Sequence, residues 1–209
     1  MFGDGSLTFR EFIMREPLPL AVIQDAVLEF LRGRDDAVLF GAQAINAYVE
    51  KARMTEDVDI LSPRAAELAE ELRTYLNKRF HIAVRVRSVR GGIGYRIYQV
   101  RKPKNRHLVD VRPVDRLPPN QRVDEVAVLT PAELACSKVL SMVGRGKTLE
   151  GAQDRIDLGR LLLAFPELKT EKGPVADALK AAGASAEAMA AWKEVVAQKI
   201  QAQGDDAGY

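Results

Sequence analysis

Residues 38–60, VLFGAQAINAYVEKARMTEDVDI, decide how the rest of the chain is read. Val38-Leu39-Phe40 has the continuous apolar character of a buried strand, and Gly41-Ala42 is a tight small-residue turn. Gln43 to about Lys51 reads as a helix, and Asp57-Val58-Asp59-Ile60 as a second strand. Residues two apart on a strand point to one side, so Asp57 and Asp59 present their carboxylates together while Val58 and Ile60 face a core. Two like charges held that close repel, and the usual remedies are a shared proton or a bound cation. Mg2+, which takes oxygen ligands and bridges carboxylates to phosphates, fits such a pair. The glycine turn supplies the complementary half, because it lets backbone approach a ligand and opens a helix N-terminus to an anion.

Working outward, Leu20–Leu31 places apolar residues at helical spacing and reads as an amphipathic helix on a sheet, preceded by an irregular arm with a short helix at 7–14. Beyond Ile60, Ser62-Pro63 reads as the cap and first position of a helix whose stripe is Leu68, Leu72, Tyr75 and Leu76. From Ile82 the period changes to two. A strand over 82–87, the turn Gly91–Gly94, a strand over 95–101 and a strand at His107–Val111 form a meander. Asp110 lies among apolar residues of that last strand, where an acid without a partner is costly. Pairing with a neighbour such as Arg112 is the plain reading, and beside Asp57 and Asp59 a catalytic one is preferred.

Between Ile82 and Val109 there are basic residues and no acidic one; Arg85 and Arg87 are candidates for holding a polyanionic acceptor, against the alternative of a solvated edge. Residues 113–124 read as a proline-rich crossover. Helices follow from Thr130, a cap with Pro131 and Glu133 behind it, then over 151–165, 174–183 and 185–201, with a frayed tail at 204–209. In the helix over 151–165, Asp154 and Asp157 are read on one side and Ile156, Leu158, Leu161 and Leu162 on the other. The stretch Ser141–Thr148 approximates a P-loop but lacks its first glycine and follows a helix, so it reads as a basic helix–helix loop.

The succession Gly41-Ala42, helix, Arg53-x-Thr55-x-Asp57-x-Asp59 resembles the nucleotidyltransferase superfamily of the DNA polymerase β type. Within it the closest likeness is to the abortive-infection type toxin nucleotidyltransferases. That family's turn is usually Gly-Gly or Gly-Ser; alanine keeps the turn small but supplies no hydroxyl. The resemblance implies an α+β fold, a small mixed sheet flanked by helices and followed by a C-terminal helical lobe, divided here as 1–115 and 116–209. It implies Asp57, Asp59 and Asp110 as catalytic and metal-binding residues with two Mg2+ ions. Gly41, Ala42, Arg53 and Thr55 are assigned to the nucleoside triphosphate. The order Glu133, Lys138, Arg145, Asp154, Asp157 resembles the helical half of the same toxins, which implies Lys138 at the phosphates. The implied reaction moves a nucleoside monophosphate from an NTP to a hydroxyl of RNA (the 3′ end of tRNA is one option), protein or a small molecule, with a cognate antitoxin as a partner. A competing reading is a non-catalytic module of the same fold that binds nucleic acid or protein.

Composition sets the outer bounds. The 209 residues, 47% of them hydrophobic, suffice for one core with an appended helical lobe, and a net charge of +2 is too small to mark a nucleic-acid binder on its own. The single cysteine, Cys136, excludes an internal disulfide and sits among apolar neighbours as a buried helix residue. Neither a signal peptide nor a long apolar run is seen, so the expectation is a cytoplasmic protein with no membrane partner.

Overall fold

The computed structural model describes residues 18–201; the short helix expected at 7–14 and the tail at 204–209 lie outside them. The chain divides into two compact units, one built from the N-terminal residues to Gln43 with Met54–Val128, the other from Ala44–Arg53 with the residues from Leu129 onward.

The first unit holds a seven-stranded mixed sheet of order β3-β4-β5-β2-β1-β7-β6. Its strands are β1 (Val38–Phe40), β2 (Val58–Ser62), β3 (Val84–Val89), β4 (Gly94–Gln99), β5 (Arg106–Pro113), β6 (Asn120–Val123) and β7 (Val126–Leu129). β1 is buried throughout and pairs antiparallel with β2 and parallel with β7, while β2 pairs parallel with β5. Helix α1 (Leu20–Leu31) buries Ile23, Ala26, Val27 and Leu31, a 3–4 spacing that makes one apolar face. Helix α2 (Gly41–Asn46) follows β1 directly, and α3 (Ala65–Phe80) buries Leu68, Ala69, Leu72 and Leu76. In α3, Glu67 in the first turn and Lys78 and Arg79 in the last complement the helix dipole. Both α1 and α3 pack on the sheet.

Four sequence expectations are corrected here. α2 is six residues long rather than running to Lys51, because Asn46 turns its side chain onto the Arg53 backbone and closes the loop, Nδ2 to O 2.8 Å and N to Oδ1 3.1 Å. Ser62 does not cap α3; it ends β2, and its Oγ accepts from Arg64 N at 3.0 Å while Arg64 is the residue before the helix. The meander strands start and stop about two residues from where alternation alone placed them. The proline-rich crossover ends in the hairpin β6–β7, whose turn puts Asp124 and Glu125 at positive φ, 48° and 67°, the twist that two-residue hairpins favour.

The second unit is helical: α4 (Pro131–Arg145), α5 (Leu149–Ala164), α6 (Pro174–Ala181) and α7 (Ala186–Ala197). Hydroxyl caps start three of them, with Thr130 accepting from Glu133 N, Thr148 from Gly151 N and Ser185 from Ala188 N. The P-loop-like stretch is therefore the end of α4 and the cap of α5. Trp192 is fully buried and its indole N–H donates to Thr170 O at 3.2 Å, so its polar tip is satisfied inside the core. Cys136 is buried, and burial pushes its thiol up to about 11, which keeps it a protonated packing group. No helix among the described residues is long and apolar enough to cross a membrane.

Candidate active site

Sheet register assembles the first half of the site. Arg87 pairs with Arg96, Arg96 with Asp110, Asp110 with Asp59, and Asp59 with Phe40, one transverse row across five strands. Register partners point to the same face. Asp59 and Asp110, fifty-odd residues apart in sequence, therefore stand side by side on parallel strands. Asp57 immediately precedes β2, two residues before Asp59.

The residue that joins Asp57 to Asp110 is His107. Its Nδ1 lies 3.2 Å from Asp57 Oδ2 and its Nε2 lies 3.1 Å from Asp110 Oδ1. On a regular strand residues 107 and 110 would face opposite sides. A register irregularity between Ile97 and Tyr98 changes this: Ile97 pairs with Val109 but Tyr98 with His107, leaving Leu108 as the extra residue and turning His107 onto the face of Asp110. The Tyr98 ring stands 5.1 Å from the imidazole at 34° and fixes its plane.

The three groups set one another's protonation. Burial pushes the Asp57 carboxyl above its ordinary range, partly offset by His107 and reinforced by Asp110. For Asp110, burial works upward too, but the His107 hydrogen bond and the charges of His107, Arg96 and Arg112 outweigh it, and the carboxyl is held below the usual range. Arg96 Nε donates to Asp110 Oδ1 at 3.0 Å. Burial lowers the His107 pKa, and its contacts with Asp110 and Asp57 more than restore it, so the imidazole is raised overall. With a carboxylate oxygen at each nitrogen, only the doubly protonated ring donates to both.

Asp59 lies toward the glycine turn. An ideal Cβ on Gly41 would sit 2.1 Å from Asp59 Oδ2, and Gly41 has φ 72°, so the carboxylate occupies space that any other residue would fill. Arg112 Nη2 is 3.8 Å from Asp59 Oδ1, and its guanidinium stacks 5.0 Å over Phe40. A divalent cation fits this donor set: one ligand atom each from Asp57, His107 and Asp110 lie within 4.8 Å of one another, and Asp59 stands in register beside Asp110. Asp59 is outside that three-residue group; the sequence reading spreads Asp57, Asp59 and Asp110 over two ions, with Asp110 sharing one.

The remaining sequence candidates have the following partners within the protein. Thr55 is buried; its hydroxyl accepts from Gln24 Nε2 at 3.0 Å and donates to Gln43 Oε1 at 3.1 Å, anchoring the segment that leads into Asp57. Arg85 and Arg87 are exposed on β3, and the Arg87 guanidinium lies 5.8 Å from the Tyr98 ring centre. In the helical unit, Lys138 is 8% exposed and its ammonium donates to Asp154 Oδ1 and Asp157 Oδ2, both at 2.8 Å. Arg53 grips Asp157 with two bonds of 2.7 Å, and Arg145 Nη1 donates to the other oxygen of Asp154 at 2.8 Å. Asp157 is wholly enclosed; burial opposes its charge, and the Arg53 and Lys138 bonds lower its carboxyl to about 2. This corrects the sequence picture of α5: Asp154 and Asp157 lie on the buried side with Leu158 and Leu161, while Ile156 is 56% exposed. In this arrangement the Lys138 and Arg53 side chains organise the helical unit, since their donors are directed at buried carboxylates. His107 is the residue that sequence reasoning missed.

Comparisons with known proteins place the fold and the family. The structure is similar to that of the Megavirus polyadenylate synthase, with a TM-score of 0.58 and 16% identity over 75% of this chain, which spans 34% of the viral protein. It is also similar to JHP933 from Helicobacter pylori, with a TM-score of 0.51 and 10% identity over 91% of this chain and 92% of that one. A putative nucleotidyltransferase from H. pylori gives a TM-score of 0.51 at 11% identity, covering 91% and 94%. At such identities these likenesses speak for the fold. No curated protein matches the chain in sequence. Residues 25–206 match the family described as nucleotidyl transferase AbiEii toxin, type IV TA system, and over that span, with its glycine turn and paired strands of acids, the chain belongs to this family of nucleotidyltransferases.

Proposed function

We propose that this nucleotidyltransferase is metal-dependent and moves a nucleoside monophosphate from an NTP to a hydroxyl of an RNA, releasing pyrophosphate. The observation that carries the reading is the in-register pair Asp59–Asp110 with Asp57 and His107 beside it, three acids concentrated on one sheet face next to a glycine turn. Asp57, Asp59 and Asp110 are the residues to hold divalent cations. When bound, such ions clamp the triphosphate and neutralise charge developing on the attacking and leaving oxygens. Asp110, ionised at neutral pH, is the residue to take the proton of the acceptor hydroxyl, and the contacts with His107, Arg96 and Arg112 that hold its carboxyl below the usual range make it a weaker base than an isolated carboxylate. Gly41 and Ala42, half-buried beside Asp59, are the turn to meet the triphosphate; with α2 only six residues long, that contact rests on the glycine more than on a helix dipole.

For the acceptor, the same row continues from Asp110 through Arg96 to Arg87, with Arg85 on the same strand two residues away. A run of guanidinium groups leading away from the carboxylates suits a phosphate backbone. The family's toxin–antitoxin setting supports a cognate antitoxin as a genetic partner.

The direct test incubates the protein with each α-labelled NTP, Mg2+ or Mn2+, and total cellular RNA or protein, then follows label and pyrophosphate. Metal-dependent label in a discrete RNA band, lost in Asp57→Asn and Asp110→Asn, is the expected result. Label entering protein instead would transfer the acceptor role to a protein hydroxyl, and label without added metal would remove the metal dependence.

A further inference from the structure

We propose that His107 is a direct ligand of the cation that Asp57 and Asp110 hold, and that it biases the centre toward Mn2+ over Mg2+. The inference rests on the metal-dependent reading above and adds to it the identity of a ligand and a selectivity.

The geometry begins with the bulge. Sheet alternation would have hidden residue 107 on the face opposite Asp110, and the irregularity opposite Ile97 and Tyr98 reverses that. Bulges are retained where a side chain must be re-aimed, often beside active sites. Here the re-aimed chain is an imidazole, 28% exposed, with one nitrogen near each carboxylate at 3.2 and 3.1 Å. Tyr98 packs against the ring at 5.1 Å, tilted by 34°, so the imidazole meets an ion with its orientation already supported. One nitrogen and two carboxylate oxygens, one from each residue, fall within 4.8 Å of one another, a spacing that a single ion spans with small side-chain adjustments.

The choice of metal follows from the donor. Mg2+ holds its waters tightly and prefers an all-oxygen octahedron, whereas first-row transition metals accept imidazole nitrogen, Mn2+ least avidly among them but more readily than Mg2+. A site whose accessible donors are two carboxylates and one imidazole gives Mn2+ a bond that Mg2+ gains little from. Asp59, in register with Asp110 and outside this three-residue group, supplies oxygen alone and carries no such bias.

Ligation takes a nitrogen lone pair, so the ring gives up one of its two protons to solvent as the ion binds; the test therefore uses the full chain at a fixed alkaline pH, without nucleotide or acceptor, so that it reads ligation and not turnover. Mn2+ binding is measured by electron paramagnetic resonance, Mg2+ by competition, and the ligand set by pulsed detection of nitrogen hyperfine coupling. Wild type should show coupling from a directly bound imidazole nitrogen. His107→Ala should lose that coupling and bind Mn2+ about tenfold or more weakly, with the Mg2+ affinity changing far less. Mn2+ bound by wild type without nitrogen coupling, or an Mn2+/Mg2+ preference unchanged in His107→Ala, overturns the assignment while leaving the carboxylate site standing. Wild type that binds neither ion overturns the metal-dependent reading as well. The coupling is read on wild type alone, so the proposal remains refutable even if His107→Ala fails to fold, and His107→Gln, which offers an amide oxygen, should reverse the preference toward Mg2+.

Discussion

Replacing Gly41 with alanine tests how the turn and the acids depend on one another. The residue has φ 72°, and holding an alanine there costs about 1 to 2 kcal/mol. For a chain of this size that lowers the melting midpoint by roughly 2–8 °C, a loss the fold survives. The larger effect is local. The added Cβ would stand 2.1 Å from Asp59 Oδ2, so the carboxylate has to retreat by at least about 1.3 Å to reach ordinary contact. A displacement of that size at a reacting centre costs on the order of 100-fold in rate. Thermal melting and kcat/KM for nucleotidyl transfer, measured on the same preparation below its melting range, separate the two effects. The Asp59→Asn background adds a control: if alanine acts by displacing Asp59, the double variant should be scarcely less active than Asp59→Asn alone. A Gly41→Ala protein that melts a few degrees lower yet transfers at the wild-type rate would show that the Asp59 position seen here is not the one catalysis uses.

Asp157→Asn should be the most destabilising polar substitution in the helical unit, by about 3–5 kcal/mol, since it leaves the Lys138 and Arg53 cations short of their enclosed partner; a fall in melting midpoint under about 2 °C would contradict this. The same carboxyl has a folded-state value of about 2, below its unfolded value, so it contributes about 2 kcal/mol that is present above the unfolded pKa and lost as pH falls toward 2; acid melting curves of Asp157→Asn should decline less steeply over that window. Asp57 is shifted the opposite way, so its ionised form weakens the fold once pH rises through its raised pKa. Asp57→Asn should then melt no lower than wild type without metal and lose the stabilisation added by Mn2+ or Mg2+, and a sharply lower metal-free midpoint with an intact metal response would make Asp57 a structural group. Arg85→Glu with Arg87→Glu should weaken RNA binding and flatten its salt dependence while NTP affinity holds; RNA binding that does not change would assign those arginines to a solvated edge.

Much of the catalytic half was legible because it is local. The buried run Val38–Phe40, the glycine after it and the alternating acids of 57–60 are all set by neighbours within a few residues, and they fold as β1, α2 and β2. Asp110 could be placed on a strand from its apolar flanks, and the Thr130 cap with Pro131 located the start of α4 to the residue. The hairpin β6–β7 was not legible, since β6 is largely exposed and shows no alternation, and its turn uses Asp124 and Glu125 at positive φ where glycine or asparagine would have announced it. The true face of α5 was hidden for a related reason: an acid pattern normally marks the solvent side, and only knowledge of Lys138, Arg53 and Arg145 as partners allows Asp154 and Asp157 to be turned inward.

His107 shows where reading by period must fail. Alternation along β5 gives a definite answer, that residues 107 and 110 face opposite ways, and the answer is wrong because one extra residue, Leu108, is accommodated opposite Ile97 and Tyr98. No property of the stretch RHLVDVRP marks that insertion; it becomes visible only once β4 is laid against it. The consequence is chemical as well as geometric. Without the bulge, Asp57 and Asp110 would face each other with only Arg96 and Arg112 to offset their charge, and a carboxylate pair so placed would select a hard cation on charge alone. With it, a nitrogen donor stands between them, close enough to compete for a ligand position. If His107 ligates as proposed, a slip of one residue in a ladder decides which metal the acids are suited to hold, and that decision resides in the pairing of two strands, where neither strand's own sequence records it.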